Sequence, residues 1–303
     1  MRTRPTLTWT PAGPPPPRTT DLTEVISVVG AGGVVALSGA GLSTESGIPD
    51  YRGEAGSLRN HTPMTYQEFR GSAPARQRYW ARGFLGWRTI AGARPNAGHV
   101  AVAELRALGF FSGVITQNVD GLHQAADTPE VVDLHGTLNR VICLDCGRIS
   151  ARESLDRRLR VANPGFDAAA GRINPDGDVE LAEDAVREFR VVDCAHCDGG
   201  VLKPDVVFFG ENVPPARVRL CERLVDDADA LLVLGSSLTV MSGLRFVRRA
   251  ADAGKPVLIV NRGRTRGDDY ANVRVDLPLG QALTDILERL TATSALRQAE
   301  PLR

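Results

Sequence analysis

The chain carries no excess of charge of either sign: its 303 residues include 36 basic and 36 acidic side chains. That balance removes the broad field that draws a protein to nucleic acid or to an anionic membrane surface. No apolar run approaches the roughly 20 residues that span a bilayer. Met1–Arg4 holds two arginines, but the apolar stretch that would follow them in a secretion signal is missing. A cytoplasmic protein is expected, probing neither nucleic acid nor membrane and working as a monomer. Internal repeats are also lacking.

Cysteine is scarce and unevenly placed. Four of the five cysteines form two C-x-x-C pairs, Cys143 with Cys146 and Cys194 with Cys197. In an intracellular chain such pairs favour a metal over disulfides. By spacing alone the signal is moderate, because 47 residues separate the pairs. Four thiolates complete a tetrahedral shell, so a single structural Zn2+ with no open position is expected, and His196 is not needed as a ligand. Cys221 lies in a helical pattern and reads as a small core residue.

The first 20 residues include Pro11 and the run Pro14–Pro17, and little there could pack. From Asp21 the pattern becomes α/β. Asp21 can cap a helix through about Val29. Val34–Leu37, Phe111–Thr116, Ala230–Leu234, Val257–Val260 and Val273–Leu277 are short apolar runs of strand length. Helical stretches lie at His99–Leu108, Ser242–Ala253 and Gln281–Leu290. Buried strands alternating with helices predict an α/β fold with a mostly parallel sheet covered on both faces. Residues 54–95 and 140–200 break the rhythm and read as insertions.

Leu37-Ser38-Gly39-Ala40-Gly41-Leu42-Ser43 follows the first strand. Glycines there allow close backbone approach to a phosphate, and a helix N-terminus beyond would favour its charge. Thr44 stands where a dehydrogenase fingerprint has its third glycine, which argues against hydride transfer. Gly30-Ala31-Gly32-Gly33 precedes the strand and reads as a loop. Among the histidines, His61, His99 and His123 read as structural.

The segment runs on through Glu45-Ser46-Gly47-Ile48-Pro49-Asp50-Tyr51-Arg52, and with it the chain resembles the sirtuin family. Thr116-Gln117-Asn118-Val119-Asp120-Gly121-Leu122-His123, Leu134-His135-Gly136, Lys203-Pro204-Asp205-Val206-Val207-Phe208-Phe209-Gly210-Glu211 and Gly235-Ser236-Ser237-Leu238 follow in the family's order. The match spans roughly residues 21–290, and the long cysteine spacer most resembles class II sirtuins. The resemblance implies a Rossmann-like NAD-binding domain built from 21–53, 96–139 and 200–292. It also implies a small domain made of a helical insertion (54–95) and a zinc-binding module (140–199), with a flexible extension at 1–20 and a tail at 293–303.

The resemblance further implies an NAD-dependent protein lysine deacylase that moves the acyl group onto ADP-ribose and releases nicotinamide. Protein mono-ADP-ribosyl transfer, or removal of longer acyl groups such as lipoyl, is the alternative on the same site. Asp120 would hold the nicotinamide carboxamide, and Asn118 would organise the ribose and a water. His135, with an imidazole suited to proton transfer near neutral pH, would be the general base. NAD would be held by Gly39, Ala40, Gly41, Ser43, Thr44, Asp50, Tyr51, Arg52, Gln117, Asn118, Val119, Asp120, Gly235, Ser236, Ser237, Asn261, Arg262, Gly263 and Leu279.

The acyl-lysine protein would lie along Val207, Phe208, Phe209, Gly210 and Glu211, in a strand expected over Val206–Glu211 that pairs with the substrate backbone. Tyr79 and Arg82 have the Tyr-x-x-Arg spacing with which desuccinylating sirtuins read an acidic acyl group. Arg82 reads equally as a solvated helix residue.

Overall fold

The computed structural model describes residues 9, 17–52, 56, 58, 62–167, 174–197 and 199–299, with side chains of the closing helix described as far as 293. His61 and most of the proline-rich start lie outside the described residues.

Six short strands make the main sheet: β1 (Val34–Ser38), β2 (Phe111–Thr116), β3 (Val131–Asp133), β7 (Ala230–Leu234), β8 (Val257–Val260) and β9 (Val273–Val275). Their order is β3-β2-β1-β7-β8-β9, and every pairing is parallel. Successive side chains leave a strand on opposite faces. Val34 and Ala36 of β1 therefore enter one buried cluster, and Val35 and Leu37 the other. Helices α1 (Thr23–Ala31), α4 (Ala97–Ala107) and α10 (Leu279–Ala299) cover the first face. Helices α8 (Pro215–Asp227) and α9 (Met241–Asp252) cover the second. Both faces being covered is why the strands read as unbroken apolar runs rather than alternating ones.

A second body packs around three antiparallel strands in the order β5-β4-β6. They are β4 (Gly136–Cys143), β5 (Ile149–Ala151) and β6 (Leu202–Val206). Helices α2 (Tyr66–Gly71), α3 (Ala73–Gly92), α6 (Arg152–Ala162) and α7 (Glu183–Glu188) belong with them, and the short α5 (Leu122–Ala125) follows β2. Thr65 and Ser72 start α2 and α3 by accepting from the amides of Glu68 and Ala75, each at 3.2 Å. Helix α3 buries Trp80, Phe84 and Trp87, and the Trp80 indole donates to the Leu202 carbonyl of β6 at 3.1 Å. Cys221 sits in the core as expected.

The structure departs from the sequence reading in several places. Pro17–Thr20 do not float with the lead-in. Thr19 bridges Val275 on the outer edge of β9, and Arg18 pairs with Asp276 at 2.7 Å. An open parallel edge offers unpaired amides and carbonyls, and this segment takes them: Thr19 donates to the Arg274 carbonyl and accepts from the Asp276 amide. Helix α10 runs on to Ala299, so the expected tail begins as helix. Asp21 accepts from both the amide and the hydroxyl of Thr23, and the helix starts at Thr23. No helix among the described residues is long and apolar enough to cross a membrane.

Candidate active site

The turns after β1, β2, β7 and β8 all open into one cavity of about 940 Å³ between the two bodies, at the upper end of the range for small-molecule sites. Strand C-terminal ends are where parallel sheets leave room for ligands. Every NAD-site residue expected above, from Gly39 to Leu279, lines it, as do His135 and Val207–Glu211, the segment expected to meet the substrate.

Gly39 and Gly41 fit this place for a reason other than phosphate approach. A Cβ on Gly39 would lie 2.7 Å from the Ser236 Cβ, and one on Gly41 would lie 2.9 Å from the Gly235 Cα. Their amides are spent on the carbonyls of Leu234 and Gly235, at 2.9 and 2.8 Å. The glycines let the β1 and β7 turns lie backbone against backbone. The β1 turn, Ala40–Ser46, is a 3₁₀ helix rather than the start of an α-helix. Leu238, on the facing turn, is held at a φ of +52°, a conformation L-residues seldom adopt.

Asn118 and Asp120 follow β2 and are tied to each other through Ser43. The Ser43 hydroxyl donates to Asp120 Oδ2 at 2.7 Å and accepts from Asn118 Nδ2 at 3.0 Å. Asn118 also donates to the Gly39 carbonyl at 3.0 Å, and the Leu122 amide donates to Asp120 Oδ1 at 2.9 Å. Burial pushes the Asp120 carboxyl above its usual value, against the pull of those hydrogen bonds. A cationic group arriving beside it would relieve that cost.

His135 precedes β4. Its Nδ1 lies 2.9 Å from the Gln117 carbonyl oxygen, which can only accept, so Nδ1 carries the hydrogen. Nε2 is then the basic nitrogen, 2.8 Å from the Ser242 hydroxyl. Burial holds the imidazole down at about 4, and the Arg217 guanidinium adds to the effect. The ring is neutral at physiological pH, with its lone pair on Nε2. His99 and His123, read as structural, are buried beneath the site, and burial depresses them to about 4 and about 3. His123 braces the β1 and β2 ends through Ser38, 2.8 Å from its Nε2.

The expected strand over Val206–Glu211 is not one. Strand β6 stops at Val206, where the next amide, Val207, turns to donate to the His135 carbonyl at 2.8 Å. Gly210 then takes a φ of +80°, and Glu211 folds back to accept from the Phe208 amide at 2.9 Å. The buried Lys203 ammonium holds Glu211 at 3.1 Å. Phe209 makes a single bridge to Thr65, and Phe208 packs edge-on against Phe69. The segment is a tied loop between the bodies that lines the cavity.

Arg82 is half-buried and does not line the cavity. It pairs at 3.6 Å with Asp178 of the long insertion, and its side chain is only 23% exposed. Burial raises the Asp178 carboxyl to about 7, against the pull of Arg82. Tyr79 packs on Phe208 with ring centroids 5.2 Å apart.

The four paired cysteines converge. Their sulfurs lie within 4.8 Å of one another, with Cys143–Cys197 at 3.7 Å and Cys146–Cys194 at 3.9 Å. A tetrahedron of sulfurs about 2.3 Å from zinc has edges of about 3.8 Å, so the donor set fits zinc. A Cβ on Gly200 would come within 2.6 Å of the sulfurs of Cys143 and Cys197, which excludes any other residue there. His196 lies outside the cluster, exposed, with its ring against Arg148.

Ser242, Glu45, Arg18 and Pro175 line the cavity without having been singled out in the sequence. Glu45 accepts from the Gly280 amide at the start of α10, at 3.1 Å. Nothing in its local sequence marks Ser242. Arg18 lies in a stretch whose composition suggested no packing.

The model of the Sir2 family matches residues 39–242. A protein of Streptomyces coelicolor, "NAD-dependent protein deacetylase 1", is 66% identical over 96% of this chain and 97% of its own length. Human "NAD-dependent protein lipoamidase sirtuin-4, mitochondrial" is 44% identical over 91% of this chain and 88% of its own. A solved Sir2 structure with a p53 peptide and NAD+ superposes with a TM-score of 0.71 at 28% identity, covering 90% of this chain and 99% of that one.

Proposed function

This chain belongs to the Sir2 family, and on that premise we propose that it is an NAD-dependent protein lysine deacylase, acting as a deacetylase. The observation that carries the reading is a single cavity holding three things together. These are the Ser43-locked pair Asn118 and Asp120, a neutral His135 with Nε2 basic, and a tied loop, Val207–Glu211, with backbone to offer an extended peptide.

NAD supplies the reaction with a ribose carbon that becomes electrophilic as nicotinamide leaves. Asp120, buried in the cavity wall, is placed to hold the amide end of nicotinamide and to stabilise positive charge beside it. Asn118 fixes the ribose side through the same serine. His135 accepts the proton of a ribose hydroxyl, which then attacks the acyl-bearing carbon and takes the acyl group. Phe208 and Phe209 shield the acyl-lysine stem from water. Four reduced thiols gathered for a metal suit a reducing compartment, and we place the protein in the cytoplasm, acting as a monomer on acyl-lysine proteins.

A longer acyl group such as lipoyl is the second reading. Phe208 and Phe209 in the cavity wall, with Phe69 and Tyr79 packed behind Phe208, support it, as does the likeness to sirtuin-4.

Separating the two chemical steps tests the assignment. His135→Ala is expected to lose deacylation by about a hundredfold to ten-thousandfold, while keeping most of the exchange of labelled nicotinamide into NAD in the presence of acyl-peptide. Asp120→Asn is expected to lose both, because both pass through nicotinamide cleavage. Normal deacylation by His135→Ala, or equal loss of exchange in the two variants, refutes this division of roles.

A further inference from the structure

His135 does not face the cavity with a free lone pair. A neutral imidazole has one hydrogen, and the Gln117 carbonyl fixes it on Nδ1. The in-plane lone pair on Nε2 is filled by the Ser242 hydroxyl at 2.8 Å. A ribose hydroxyl can reach this base in one of two ways: it displaces Ser242, or it passes its proton through Ser242.

The packing around Ser242 favours passage. Ser242 is the second residue of α9, and its neighbour Gly243 is buried against Gln117: a Cβ there would lie 2.5 Å from Gln117 Oε1. Gln117 is in turn fixed, its amide donating to Ser236 Oγ at 2.8 Å. The groups on the two ring nitrogens therefore belong to one packed unit, the carbonyl of Gln117 on one side and the α9 serine lodged against that same residue on the other. Ser242 is also part of the cavity lining, beside the space where the co-substrate would lie. While donating to Nε2, that oxygen still has lone pairs with which to accept.

From this arrangement we infer that Ser242 is a catalytic proton relay between the ribose hydroxyl and His135, an inference that rests on the deacylase reading above. In the step, the ribose O–H bond breaks and its proton passes to Ser242 Oγ, while the proton that Ser242 held passes to Nε2. The ribose oxygen keeps the electron pair and becomes the attacking alkoxide. Ser242 ends as a neutral hydroxyl, and His135 ends as an imidazolium held by Gln117. No oxidant or further reactant is involved.

Relay and displacement give opposite signs on removal of the hydroxyl. With the relay, Ser242→Ala loses deacylation by about tenfold or more, bounded by the hundredfold to ten-thousandfold worth of general-base assistance. It keeps nicotinamide exchange within about twofold, because exchange precedes the proton transfer. Ser242→Thr, which restores the hydroxyl, recovers most of the turnover. A second measurement needs no turnover. In protein labelled with ¹⁵N-histidine, five histidines are present, and His135→Ala identifies the resonances. The relay requires an Nδ1–H tautomer and an Nε2 resonance that moves when Ser242 becomes alanine.

Faster or unchanged deacylation by Ser242→Ala would show that the serine only competes with the ribose, and would overturn the relay. Equal loss of exchange and deacylation, or an Nε2 resonance indifferent to the substitution, would overturn it too. If the unaltered enzyme released no nicotinamide in response to acyl-peptide, the deacylase reading itself would fall, and the relay with it.

Discussion

In the six-stranded sheet the strands are apolar filling, and the functional side chains stand on the turns after β1, β2, β7 and β8. In the three-stranded sheet the strands themselves adjoin the site: β4 begins beside His135 and ends on Cys143, and β6 leads directly into the loop proposed to meet the substrate. The first arrangement keeps packing and chemistry on separate residues. Val34 or Leu232 can be exchanged for another apolar residue of like size without touching the cavity. The second arrangement puts both duties on one short strand, so a fault in the sheet is a fault in the site.

Metal removal draws the contrast most sharply. Protein as purified is expected to hold about one zinc per chain, and a structural site of four thiolates contributes folding free energy on the order of 10 kcal/mol. Stripping the metal, or replacing Cys194 with Ser, should unfold the small sheet and abolish activity. Amide hydrogen exchange should at the same time show β1 and β7 still protected. Full thermal stability without metal would break the comparison.

A smaller effect belongs to the parallel sheet. His99 and His123 are buried neutral, with values of about 4 and about 3 against an unfolded value near 6.5. Their folded values are depressed. The stability they allow is therefore present above about pH 6.5 and is lost as pH falls toward 4 and then 3, where the unfolded chain binds protons that the folded one refuses. Each contributes a slope of about 1.4 kcal/mol per pH unit in that window. Denaturant unfolding between pH 6 and 4.5 should show this slope, and His123→Gln should reduce it by the share of about one proton. An unchanged slope would mean that His123 takes up its proton in the folded state.

The smallest effect is expected at Arg82. An arginine reading the carboxylate of an acidic acyl group would shift succinyl-over-acetyl selectivity by about tenfold to a hundredfold when removed. With the guanidinium committed to Asp178, Arg82→Met should change that ratio by less than about threefold. A tenfold fall in succinyl turnover alone would show that Asp178 gives way to substrate.

The same contrast explains what could be read before the structure was known. The strands of the parallel sheet announce themselves as apolar runs, and the turns after them carry motifs read in family order, so every residue expected at the cavity lines it. The small sheet was invisible. β5 is three exposed residues long, and β4 mixes Asn139 and Arg140 with buried Val141 and Cys143. Val206–Glu211 looked like a strand because apolar, β-prone residues follow one another. The turn at Gly210 and the Lys203–Glu211 pair, both local in sequence, are set by side-chain contacts that a run of apolar residues does not report. Ser242 was missed for a related reason, since its significance lies wholly in the ring it touches, 107 positions away in sequence.

Strand β4 is also a ruler. Eight steps of extended chain separate His135 from Cys143, roughly 26 Å at about 3.3 Å each, less whatever the irregularity in its pairing with β6 takes up. No polarising influence of a metal at the far end reaches an oxygen at the near one over that length in a screened medium. What the strand does transmit is stiffness. The thiolate tetrahedron clamps one end of a lever whose other end sets the aim of an imidazole, and the ion's part in turnover is that of an anchor bolt: out of sight of the reaction, and felt in it only as alignment.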